Sequence, residues 1–135
     1  VDEFQHIMYQ NPDLTPDQRN QTWLELEHKY RPWIDFDNLP FYGRGAGWQR
    51  QLHIYECPFY YIDYCLSTMA ALQFFLLSLH DQKDAWERYL RLVRRAGTAS
   101  YTELCETAGL QVPFRDGSIK AIAQQMSQWI AEHQV

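Results

Sequence analysis

Residues 60–79 limit what this chain can fold into. Leu66, Met69, Ala70, Leu72, Phe74, Leu76, Leu77 and Leu79 recur at helical spacing and cover most of a helix circumference. A helix of that kind needs cover on several sides, so it is expected to be central. Ser67, Thr68, Gln73 and Ser78 interrupt the apolar run, which therefore reads as a buried helix and not as a membrane span. Residues 59–64 could open a strand, but they run on into the helical pattern, and no other stretch alternates with period two.

The rest of the chain is punctuated for helices. Val1, Phe4, Ile7 and Met8 share one face of a first helix that no capping residue precedes, as in a piece of something longer. Asn11-Pro12-Asp13 ends that helix. Thr15, Pro16 and Gln18 open a second with a capping box, Trp23, Leu26 and Tyr30 form its apolar stripe, and Pro32 stops it. Residues 31–47 lack a helical period, and Pro32, Asp35, Asp37, Asn38, Pro40, Gly43, Gly45 and Gly47 mark a long loop, expected to be flexible. A helix resumes over 48–55 until Pro58 breaks it. Asp81 caps the next, closed by Gly97, while Ser100 with Glu103 opens a short helix closed by Gly109. A final helix over 118–133 carries Ile119, Ile122, Met126, Trp129 and Ile130 on one stripe. The fold class is all-α: an irregular bundle of five to seven helices, in one domain over 1–135, with one long Gly/Pro-containing loop.

Charge and cysteine usage exclude several functions. The net charge is −5, and residues 1–45 alone carry eight acids against four bases. Arg88, Arg91, Arg94 and Arg95 cluster on a helix whose other face is apolar, which is a solvated face and not a track for a phosphate backbone; nucleic acid is excluded as a partner. Cys57, Cys65 and Cys105 are odd in number and form no Cys-x-x-Cys, so reduced thiols in a cytoplasmic protein are expected. Acids and polar residues fill positions 1–10, unlike a secretory signal.

Chemistry concentrates in one segment. His6, His28, His53, His80 and His133 include no pair four apart, so there is no His-Glu-x-x-His helix, and no Gly-x-Ser-x-Gly occurs. Directly after the glycines, however, His53, Tyr55, Tyr60, Tyr61 and Tyr64 crowd together. Imidazole N–H and phenol O–H can both donate to an oxyanion, and the phenol stays neutral near pH 7 because its ordinary pKa is about 10. On a helix, Tyr60 and Tyr64 would share a face with Tyr61 beside them. Aromatic packing around a buried His53 is the competing reading.

The segment Trp48-Gln49-Arg50-Gln51-Leu52-His53-Ile54-Tyr55-Glu56-Cys57-Pro58-Phe59-Tyr60-Tyr61-Ile62-Asp63-Tyr64 resembles the His-Ile/Phe-Tyr/Phe-x-x-Pro-Phe-Tyr-x-x-x-Tyr signature of oligoendopeptidase F and its relatives among the thimet-type zinc oligopeptidases. Val1-Asp2-Glu3-Phe4-Gln5-His6, Tyr9, Asn11-Pro12, and Thr15-Pro16 followed by Leu26-Glu27-His28-Lys29-Tyr30 resemble the segments that precede it there. The resemblance implies that residues 1–135 are the C-terminal part of the catalytic domain of a larger zinc metalloendopeptidase that hydrolyses short peptides in the cytoplasm. It implies His53 as the histidine that contacts substrate or steadies the tetrahedral intermediate, and Tyr60 and Tyr64 as tyrosines facing the scissile carbonyl oxygen. Tyr61, Gly45 and Gly47 are implied on the substrate-binding side. Ile62 departs from the alternating aromatics common in relatives, and Leu52 stands where a small residue is usual. Zinc belongs to the parent and is held, with the general-base glutamate, on a helix N-terminal to everything present here, so this chain alone is expected to bind no metal and to be inactive. Its partners are that N-terminal zinc-bearing part and short peptides, with no membrane. The alternative is a non-catalytic all-helical interaction module. The alternative expects the tyrosines buried, whereas the peptidase reading expects a large apolar face left exposed.

Overall fold

Two capping boxes set the helix starts that their sequences call for. The computed structural model describes residues 1–36 and 38–133, so Asp37, named above among the loop markers, lies outside the described residues. Seven α-helices and one short 3-10 helix occur among the described residues, with no strand, in line with the all-α expectation. They are α1 (Asp2–Gln10), α2 (Pro16–Tyr30), the 3-10 helix (Ala46–Arg50), α3 (Leu52–Glu56), α4 (Ile62–His80), α5 (Gln82–Arg95), α6 (Tyr101–Ala108) and α7 (Ser118–Glu132). The single domain expected from length divides into two compact units, Val1–Asp63 and Tyr64–Val135.

In the first unit, Gln18 N–H donates to Thr15 Oγ1 at 3.3 Å and Thr15 N–H donates to Gln18 Oε1 at 2.8 Å, which satisfies two donors that the start of α2 would otherwise strand. Phe4 of α1 is 1% exposed and meets the edge of Trp23 from α2 at 5.1 Å. Trp48 of the 3-10 helix covers Phe4 at 5.6 Å and donates its indole N–H to Asn20 Oδ1 at 2.9 Å. At the outer edge, Lys29 Nζ reaches both carboxylate oxygens of Glu3, at 2.8 and 2.9 Å, tying α1 to α2.

The loop over 31–47 differs from expectation. Gly45, Ala46 and Gly47 are buried against α2, and Phe36 joins the core. Gly45 has φ +76°, and a Cβ there would lie 1.9 Å from the backbone oxygen of Asn20. A Cβ on Gly47 would come within 2.8 Å of Trp23 Nε1. Gly45 thus lets two backbone segments touch and Gly47 leaves room for the Trp23 side chain, so the end of the loop expected to be flexible is packed, while residues 31–33 and 38–40 are exposed. The helix expected over 48–55 is two pieces, because Gln51 (φ −82°, ψ 89°) leaves helical geometry between Arg50 and Leu52.

In the second unit, Asp81 Oδ1 accepts the backbone N–H groups of Lys83 and Asp84 at 2.9 and 3.0 Å and starts α5. Ser100 and Glu103 form the second capping box, and Gly109 (φ +69°) ends α6. Cys105, Ala108, Leu110 and Val112 are the buried core, against which Ala70, Phe74 and Leu77 of α4 pack with Leu92 and Tyr101. Gln73 is buried and acts as a clamp: its Nε2 donates to the Gln111 carbonyl at 3.1 Å and its Oε1 accepts the Gln111 N–H at 2.7 Å.

The central, buried α4 is corrected. Gln73 is its single buried residue, Leu66, Met69, Leu72 and Phe75 are half-buried, and Leu79 is exposed. The α5–α6 core and the 110–112 segment cover one side, and Phe75 meets the edge of Trp129 from α7 at 4.9 Å on another. That leaves a wide apolar surface. By length and composition α4, with mean hydropathy 1.5, could also cross a membrane.

Candidate active site

The histidine-tyrosine segment folds back on itself within the first unit. His53 lies in the first turn of α3 and is half-buried. Cys57 N–H donates to the His53 carbonyl at 3.1 Å, closing α3, and Tyr60 N–H donates to the Cys57 carbonyl at 3.1 Å, closing the turn that follows. The turn brings Tyr60 and Tyr61 back to His53. The Tyr60 ring lies parallel to the imidazole, with centroids 6.1 Å apart and 6° between planes. The Tyr61 ring stands edge-on at 5.2 Å and 84°. Tyr60 is 47% exposed, so this face is open to solvent and not sealed as an interaction module would have it.

Phe59 makes the reversal possible. Its φ is +63°, and no other non-glycine among the described residues has positive φ. A bulky side chain there costs on the order of 1–3 kcal/mol and persists where surroundings hold it. Two rings of α1 do so: His6 lies 4.9 Å from the Phe59 ring and Tyr9 lies 5.0 Å from it. Aromatic pairs of this kind contribute about 0.5–1.5 kcal/mol each, comparable with the strain. On the other side of α3, Tyr55 stacks on Trp48 at 6.3 Å and ties the helix to the core.

The predicted helix over 60–79 begins later than expected. Tyr60 precedes α4, and only Tyr64 stands in its first turn, so the two tyrosines do not share a helical face. Tyr64 is 47% exposed, and its carbonyl accepts Ser67 Oγ at 3.1 Å and Thr68 Oγ1 at 2.6 Å. Gly45 and Gly47, expected beside substrate, are buried, and the close approach they permit is to α2. No group of three or more His, Cys, Asp or Glu side chains among the described residues could hold a metal ion, so the residues present do not form a zinc site.

No protein-family model matches the sequence, and no curated protein matches it. Solved structures do. A chain assigned as an oligoendopeptidase F superimposes with a TM-score of 0.92 at 41% identity, over 98% of this chain. PZ peptidase A, solved with an inhibitor, gives the same TM-score and coverage at 43% identity. Over nearly its whole length this chain is similar to one segment of these peptidase chains. A third structure, assigned as an oligoendopeptidase F from Bacillus anthracis, matches at 33% identity with a TM-score of 0.73. This chain spans 24% of the length of the first two chains and 20% of the third.

Sequence patterning did not reveal His6, Tyr9 and Phe59 as partners. The available signal was weak: His6 and Tyr9 stand three apart on a helix, and Phe59 follows a proline. Neither fact foretells a left-handed phenylalanine.

Proposed function

We propose that this chain is the C-terminal part of the catalytic domain of a cytoplasmic zinc oligopeptidase and forms the wall of the cleft that binds short peptides and stabilises the transition state. One observation carries the reading: an imidazole stacked parallel to one phenol ring and edge-on to another, on an open face built by a strained turn. Similarity at 41–43% identity to peptidase structures supports the reaction class. Zinc would be held by residues outside this chain. The part played here is hydrogen bonding. His53 and Tyr60 of the first unit donate to the carbonyl oxygen as it gains negative charge; for Tyr64 the resemblance alone supports a donor role in the full-length enzyme. Tyr61 orients the imidazole and lines the subsite. Gly45 and Gly47 seat the 3-10 helix that leads into α3 and so support the proposed wall from behind.

Preorganised donors act where charge develops, so their loss falls on the chemical step. In the full-length enzyme, Tyr64→Phe and Tyr60→Phe are each expected to lower kcat about 10²- to 10³-fold with KM nearly unchanged. Steady-state kinetics on a short fluorogenic peptide check this. Unchanged kcat in both variants would remove the phenols from the transition state.

A further inference from the structure

We propose that Phe59 is a positioning residue, held in a left-handed backbone conformation by His6 and Tyr9, that presents Tyr60 and Tyr61 to His53. This inference rests on the assignment of His53 and Tyr60 to the chemistry. Phe59 is the third residue of the turn that the Tyr60 N–H closes on the Cys57 carbonyl, and its φ of +63° redirects the chain at that point. An extended or right-handed residue there would send Tyr60 and Tyr61 elsewhere. Pro58 suits the second position of a turn whose third residue has positive φ, but a phenylalanine there is strained where a glycine would not be. The stabilising contacts come from α1: the His6 ring at 4.9 Å and the Tyr9 ring at 5.0 Å, with Asp2 Oδ2 lying 3.5 Å from His6 Nε2. His6 and Tyr9 meet the Phe59 ring, and Phe59 leads directly into the two tyrosines whose rings meet His53.

The chain of contact separates position from chemistry. Phe59→Gly keeps the left-handed conformation accessible but removes the ring that α1 grips. His6→Ala/Tyr9→Ala removes the grip and leaves residues 53–64 intact. Phe59→Tyr keeps both. Each is made in the full-length protein with histidines labelled at 13Cε1, and the His53 resonance is compared at fixed pH, because stacked phenol rings shift it. Phe59→Gly and the double variant are expected to move that resonance in the same direction and to lower kcat about 10- to 100-fold at constant KM, while Phe59→Tyr restores both. A His53 resonance unchanged in the double variant, which leaves the motif intact, overturns the positioning role. A resonance that moves while kcat holds leaves the positioning in place and overturns the catalytic assignment of His53 and Tyr60.

Discussion

At the scale of single residues, two backbone positions with positive φ do opposite things. Gly45 uses its missing Cβ to bring the loop onto α2, and Phe59 keeps a ring where glycine would be easier because that ring is gripped. Gly45→Ala combines an unfavourable φ with a Cβ placed 1.9 Å from the Asn20 carbonyl oxygen. It is expected to destabilise the protein by about 2 kcal/mol or more, measured by urea unfolding with an unchanged m-value. The sequence made Gly45 legible as a special position but not its neighbour, because a glycine advertises conformational freedom without saying what comes close. It made His53, Tyr60 and Tyr61 legible as a cluster, since they lie within nine positions of one another. Their mutual geometry was not legible, because it depends on a φ value that Phe59 adopts only under contacts from residues about fifty positions away.

At the scale of elements, the local signals were the dependable ones. Thr15, Asp81, Ser100 and Gly109 cap the helices that their residue types announce, because a cap is satisfied within four residues and needs no tertiary partner. The start of α4 was misplaced by two residues, because its apolar pattern runs without a break into the tyrosines before it. The α6 box also carries a pH dependence. The Ser100 backbone N–H, followed by its hydroxyl, holds the Glu103 carboxyl below its usual range. A carboxyl lowered on folding contributes stability above its unfolded pKa, and that contribution is lost as pH falls through the folded value. Glu103→Gln is therefore expected to lower Tm near pH 7 and to converge with the parent protein once the pH falls below the usual carboxylate range, in thermal melts followed by circular dichroism.

At the scale of the whole chain, the fold class followed from periodicity, but the place of α4 did not. An apolar pattern around a helix tells how much cover the helix can use, not how much its own chain supplies. Here the pattern of Leu66, Leu72, Leu76 and Leu79 belongs to a segment spanning 24% of the peptidase chains it matches. Apolar surface that is wet in the folded state is wet in the unfolded state as well, so it adds nothing to the hydration change between them. The heat capacity of unfolding of residues 1–135, measured by calorimetry, should accordingly fall below the usual ~12–15 cal/mol/K per residue. With a smaller heat capacity change the stability curve is flatter, and the chain's resistance to cold would outlast what its modest core suggests.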